Sequence, residues 1–132
     1  MKNVFLLKLR RSGPTATQRE WDARIAEAVD SWVQARKYLK QLSTVEEIAA
    51  DIGVPGDQLA VWVRIHTGKT LLGWRKALRI EEAKRLLLEF PDLPVSTVGL
   101  MVGIDDKSNF KRQFTETVHL TPRAWRERHG KH

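Results

Sequence analysis

A pattern running from Val45 to Arg75 returns from Val95 to Arg126, and this duplication limits the fold more than any other feature of the chain. In the first copy Val45, Ile48, Ala49 and Ile52 stand at i, i+3, i+4 and i+7, followed at once by Gly53 and Val54. In the second, Val95, Val98, Gly99 and Val102 keep the spacing, followed by Gly103 and Ile104. After a one-residue insertion, Leu59 and Val63 correspond to Phe110 and Phe114, while Thr70, Trp74 and Arg75 correspond to Thr121, Trp125 and Arg126. Each copy reads as a short amphipathic helix, a glycine that ends it in the left-handed conformation, and a second helix packed across the first. That is a helix-turn-helix, present twice, and it predicts an all-α chain of two such subdomains.

With 132 residues, 42% of them apolar, the chain has material for one core or for two small cores sharing a helix. An added effector domain of ordinary size does not fit. The net charge of +7 points to an anionic partner, nucleic acid or membrane surface, with plain solubility as the bland alternative. There is no cysteine, which excludes disulfides and thiolate chemistry. The first apolar run, Val4 to Leu7, is too short for a signal-peptide core, and nothing approaches a membrane span, so the expected location is the cytoplasm. Charge is uneven: residues 1–41 carry nine basic against four acidic side chains, whereas residues 42–69 carry two against four. The first helix-turn-helix is the acidic one.

Residues 1–16 read as a basic extension, with Lys8, Arg10 and Arg11 ahead of Ser12, Gly13 and Pro14, and residues 17–132 as one bipartite domain. Thr17 and Glu20 have capping-box spacing, and the apolar stripe Trp21, Ile25, Ala28, Val29, Trp32, Val33 and Leu39 predicts a helix from about residue 17 ending before Ser43. Its expected role is to brace the first repeat, with a dimer contact through Trp21 as the alternative. A second capping box is offered by Ser43 with Glu46 or by Thr44 with Glu47, opening a first helix-turn-helix over about 44–66. Pro55 suits the first turn of its second helix. There Leu59, Trp62, Val63 and His66 are expected to face the core, and Gly56, Asp57, Ala60, Val61 and Arg64 to face outward.

Leu71, Trp74, Leu78, Ala83, Leu86 and Leu87 mark a linker helix over about 70–89, stopped by Phe90 and Pro91. Such a rod is about 30 Å long, close to the roughly 34 Å turn of B-form DNA, so it can set two reading helices in successive major grooves. The second helix-turn-helix spans about 95–117. In its reading helix Phe110 and Phe114 turn inward, leaving Lys107, Ser108, Lys111, Arg112 and Thr115 outward with Asn109 at the flank. Lysine and arginine neutralise phosphates, arginine grips guanine O6 and N7 with two hydrogen bonds, and asparagine does the same to adenine N6 and N7. Thr44 and Ser96, near helix starts, are candidates for anchoring phosphate, and capping explains them equally well.

Other constellations carry less. Thr67-Gly68-Lys69-Thr70 ends like a phosphate-binding loop, but the pattern's first glycine would fall on Val63 inside a core stripe, and Gly68 is better explained as a helix stop. His66, His119, His129 and His132 lack metal-ligand spacing, and no nucleophile, base and oxyanion set can be assembled. Neither an enzyme nor a cofactor or metal site is expected.

The run from Arg79 through Leu87, then Val98 to Gly103, Asp106, Ser108, Phe110, Arg112, Phe114, Thr121-Pro122 and Trp125-Arg126, resembles the signature of the AraC/XylS family of bacterial transcription regulators. The resemblance covers about Ile25 to Arg128. It implies two helix-turn-helix subdomains joined by a long helix, binding double-stranded promoter DNA and regulating transcription through RNA polymerase, either as a stand-alone member or as the DNA-binding part of a larger regulator. Against the family pattern, Gly99 replaces a small alanine, Ile104 a phenylalanine, His119 a glycine and Trp125 a tyrosine or phenylalanine. The missing glycine at His119 predicts a strained or re-routed helix end. The first repeat's base-reading positions fall on Asp57, Ala60 and Val61. Asp57 can accept from cytosine N4 and Val61 can touch a thymine methyl, but phosphate repels Asp57, so the second repeat is expected to dominate. The competing function is a protein-binding adaptor on a degenerate scaffold.

Overall fold

The computed structural model describes residues 16–130. Within them lie seven α-helices and no strand: α1 (Ala16–Gln34), α2 (Val45–Ile52), α3 (Gly56–Thr67), α4 (Leu71–Glu89), α5 (Val95–Met101), α6 (Lys107–Val118) and α7 (Pro122–His129). The all-α class and the double helix-turn-helix are therefore present as expected, with α2–α3 the first motif and α5–α6 the second.

Local chemistry accounts for most helix ends. Of the two candidate capping boxes, Thr44 with Glu47 is the one formed: the Thr44 hydroxyl accepts from Glu47 N at 3.1 Å, and Glu47 Oε1 accepts from Thr44 N at 3.1 Å. Gly53 then stops α2 at φ 90°, and Gly68 stops α3 at φ 73°, both in the left-handed region. Thr70, Asp106 and Thr121 cap α4, α6 and α7 through their side-chain oxygens. At the end of α6, His119 adopts φ 67° and donates its N–H to Thr115 O. The helix end is strained rather than re-routed.

The first helix departs from expectation at both ends. Ala16 is already helical, so Thr17 and Glu20 lie inside α1 and do not open it. The helix stops at Gln34 rather than near Ser43, because Arg36 turns left-handed at φ 56° and the chain continues as a single 3-10 turn, Lys37–Leu39. That break points the carbonyls of Tyr38 and Lys40 at the side chain of Arg75, which donates to both. A continued α-helix would have kept those carbonyls for itself. The basic extension lies outside the described residues apart from Ala16.

Two cores are strung along α4. In the first, Ile25, Val29 and Trp32 of α1 pack with Ile48, Ile52, Leu59, Val63, Leu71 and Trp74, and Trp32 stacks on Trp74 at 5.7 Å between ring centroids. Trp21 is half-buried against this core, as a bracing helix requires. In the second, Ile80, Ala83, Leu86 and Leu87 of α4 pack with Val98, Val102, Phe110, Phe114 and Trp125, whose rings meet edge to face. The first half of α4 thus closes the first core as α7 closes the second. Its second half braces the second core as α1 braces the first. The long helix is a shared spine, and its 19 residues span about 28 Å.

Candidate nucleic-acid interface

The exposed side of α6 is built by two inward rings. Phe110 and Phe114 are buried, so the helical period delivers Lys107, Ser108, Lys111 and Arg112 to solvent. Asn109 is half-buried at the flank, and Thr115 is half-buried with its hydroxyl donating to Lys111 O at 2.7 Å. Arg112 does not wave freely. Its Nη1 donates to Glu116 Oε1 at 3.0 Å and its Nη2 to Asn109 Oδ1. Glu116 also faces Lys76 Nζ of α4 at 3.6 Å, so one carboxylate ties the ridge to the spine. Glu116 stands four residues after Arg112, the spacing of a helical ion pair, and sequence reasoning passed over it.

The corresponding side of α3 is chemically different. Asp57 is exposed, and its Oδ1 accepts from Gln58 N at 2.9 Å. Val61 and Ala60 are half-buried, and Arg64 is exposed with Nη1 donating to Gly68 O at 3.2 Å. Two expectations need correcting. Gly56 does not face outward: a Cβ there would sit 3.7 Å from that of Ala49, so the glycine packs on α2. His66 does not face the core, because Leu59 and Val63 already fill that side. Instead it is exposed, lies over Trp62 at 4.2 Å and meets Asp22 Oδ1 at 3.1 Å. Exposed Gln58 and Ile65 belong to this surface and were missed, although the period from Val61 would have found both.

The phosphate-anchor candidates sit differently from each other. The Thr44 hydroxyl is engaged in the capping box, beside the Glu47 carboxylate. Ser96 is half-buried in the first turn of α5. Among the described residues no cluster of three or more His, Asp or Glu could hold a metal ion, and no helix is long and apolar enough to cross a membrane.

Behind both reading helices lie arginines that sequence reasoning did not single out as structural. Arg75 Nε donates to Tyr38 O at 3.2 Å, and Arg126 donates to the carbonyls of Leu87 and Leu93 at 2.9 and 2.7 Å and to that of Phe90 at 3.3 Å. In each lobe the guanidinium of the closing helix ties down the segment that follows the bracing helix. A planar fork of five donors suits such work.

Comparison with known proteins follows the same outline. A helix-turn-helix domain family matches residues 48–128, more than half of the chain. The chain belongs to the AraC/XylS family of transcription regulators. The arabinose operon regulatory protein of Salmonella typhimurium is 33% identical over 82 residues, 62% of this chain and 29% of that protein. The family member described here thus spans under a third of that curated relative. Among solved structures, the C-terminal domain of AraT, a response regulator from Geobacillus stearothermophilus, superposes with a TM-score of 0.70 at 21% identity, covering 83% of this chain and 88% of that one. The DNA-binding domain of AdpA, a global transcriptional factor in complex with a target DNA, superposes with a TM-score of 0.67 at 25% identity, covering 80% and 91%.

Proposed function

We propose that this AraC/XylS-family chain binds double-stranded promoter DNA sequence-specifically and regulates transcription through RNA polymerase. In this reading α3 and α6 enter successive major grooves and α6 supplies most of the affinity. The observation that carries it is the exposed Lys107, Ser108, Lys111 and Arg112 ridge on a reading helix locked to the same spine as a second one. The AdpA domain, which shares this fold, is bound to a target DNA, and that supports the duplex as the ligand. An adaptor function has no comparable support.

The chemistry divides between the helices. Lys107 and Lys111 neutralise phosphates, Arg112 and Asn109 offer donors to base edges, and Ser108 adds an adaptable hydroxyl. On α3, Arg64 meets phosphate, while Asp57 and Val61 make the weaker contacts to a cytosine amine and a thymine methyl. Ser96 at the start of α5 is the better-placed phosphate anchor; Thr44 is committed to its cap. For Arg112 to reach a guanine it must exchange Glu116 for the base.

Selection from random duplexes tests this directly. Enrichment of a bipartite motif with half-sites about one helical turn apart is expected. Arg112→Ala should then lose about 1 to 3 kcal/mol on the selected duplex and much less on a scrambled one. Equal losses on both would make Arg112 a phosphate anchor, and no enrichment at moderate salt would reject the function.

A further inference from the structure

Arg79, on the spine one turn after Arg75, lies outside the internal repeat. Arg75 and Arg126 occupy equivalent places and each ties down carbonyls within its own lobe. Arg126 manages this alone. In the first lobe the same two carbonyls, Tyr38 O and Lys40 O, receive a second guanidinium, with Arg79 Nε at 2.9 Å and Arg79 Nη2 at 2.8 Å. Two cations are thereby placed one helical turn apart on shared acceptors, an arrangement that costs electrostatic energy. Burial and the Arg75 charge pull the Arg79 guanidinium down to about 10. It remains charged at neutral pH, so two like charges share these acceptors.

The third nitrogen of the Arg79 guanidinium goes elsewhere. Its Nη1 faces Gly103 O at 3.4 Å, in the turn between α5 and α6 of the second lobe. Gly103 is left-handed at φ 85°, and a Cβ there would lie 3.0 Å from Arg79 Nη2 and 3.1 Å from Leu39 O. The turn of the second motif is therefore pressed against the segment that leads into the first. Leu39 packs against both cores, and Arg36 Nη1 reaches Glu82 Oε2 at 3.5 Å nearby. These contacts lie off the axis of α4, where they resist the bending and twisting that a lone helix permits.

We propose that Arg79 is a positioning residue that clasps the two lobes and fixes the phase between the reading helices α3 and α6. It touches neither reading surface. It acts by holding the Gly103 turn against the Tyr38–Lys40 segment, so that a duplex engaging one helix meets the other already in register. This rests on the two-groove function proposed above. Pre-set geometry converts the second contact into an intramolecular one, with a gain in affinity of about a hundredfold or more over a single contact.

The chain has no cysteine, so two labels can be placed uniquely, by Ala50→Cys on α2 and Leu100→Cys on α5, both exposed and off the reading faces. In full-length protein, spin-label distances should form one narrow population, broadened by Arg79→Met and less so by Arg79→Lys. On the selected duplex with both half-sites, Arg79→Met should lose tenfold or more in affinity, while a duplex with one half-site scrambled should be bound within twofold of the parent. Unchanged label distances, or equal proportional losses on the two duplexes, would overturn the clasp. Loss of folding in both variants would also overturn it, making Arg79 a folding residue only. Should the parent protein show no advantage for paired half-sites, the two-groove reading fails, and the label distances still decide the clasp independently.

Discussion

The two lobes share a plan and differ in what fills it. At equivalent places the first uses Ala49, Leu59, Val63 and Gly68 where the second uses Gly99, Phe110, Phe114 and His119. At two of these places the second core puts a phenylalanine where the first has an aliphatic residue, and a Cβ on Gly99 would lie 2.9 Å from Phe110 Cγ. The glycine is thus the consequence of the larger ring: volume added on one helix is removed from its neighbour. Outward, the contrast is electrostatic. The second lobe shows two lysines and an arginine, whereas the first shows Asp57 and Gln58 with the single cation Arg64. The duplicated scaffold shares its internal ties between the lobes while its two surfaces differ.

The largest test of this contrast lies in the cores. Phe110→Ala should destabilise by about 3 to 5 kcal/mol and Leu59→Ala by about 2 to 5, the second lobe suffering more because removing a phenyl ring leaves the larger cavity. Denaturant unfolding monitored by tryptophan emission would measure both. Equal costs would show that the cores are energetically interchangeable. Next, Arg126→Ala removes donors from three carbonyls and should cost about 2 to 3 kcal/mol, since hydrogen bonds from a charged group are strong and their part-buried acceptors would be left short. Arg75→Ala should cost less, because Arg79 still reaches the same two acceptors. Hydrogen exchange at residues 87–93 and 38–42 would localise the two losses.

Exchanging the volume pair comes third. Gly99→Ala alone should overpack the second core by about 1 to 3 kcal/mol, an effect partly offset by up to about 1 kcal/mol of helix propensity. Combined with Phe110→Leu it recreates the first lobe's pairing and should be favourably coupled in a double-mutant cycle. Additive effects would mean that the ring moves aside at no cost. Asp51 supplies a pH test with no counterpart in the second lobe, where Met101 stands. Its carboxyl is held below 3.8 by hydrogen bonds from Lys40 and Trp32. A depressed carboxyl stabilises above its unfolded value and loses that contribution as pH falls through its folded one. Acidification below 3.8 should therefore loosen the contact of Asp51 with Trp32 and Lys40 in exchange measurements, and Asp51→Asn should abolish that response.

Much of this architecture is legible in the sequence. The i, i+3, i+4, i+7 apolar sets form α2 and, up to its cap residue Val102, α5, and a left-handed glycine follows each as read, because local period and a single left-handed residue decide such helices with little outside help. Phe110 and Phe114 point inward for the same reason. What escaped notice depended on long-range partners. Nothing in the local sequence of Arg36 announces a left-handed break; its cause lies at Arg75, far along the chain, which draws the Tyr38 and Lys40 carbonyls outward. His66 fits a core stripe by spacing alone, and only the filling of that side by Leu59 and Val63, with Asp22 waiting at the edge, turns it to solvent. The ridge on α6 could be named from period, but the grip of Glu116 on Arg112 and Lys76 spans two helices and so was missed.

The smallest expected effect concerns the ends of the two reading helices. Gly68 and His119 take nearly the same conformation, at φ 73° and 67°, yet only one is a glycine. A left-handed residue with a Cβ is strained by about 1 to 2 kcal/mol, although histidine tolerates that region better than most. Glycine in turn gives back about 0.5 to 1 kcal/mol through the greater freedom of its unfolded chain. His119→Gly should therefore stabilise the second lobe by a net amount of about 0.5 to 1 kcal/mol. Gly68→His should destabilise the first by a similar amount, since open space surrounds a Cβ at Gly68 and backbone strain is the main change. Thermal unfolding of both single variants and of the exchange pair would read the outcome. If His119→Gly instead destabilises the protein, the imidazole makes a contact worth more than the strain it imposes, and the end of α6 is held by its side chain rather than by its backbone.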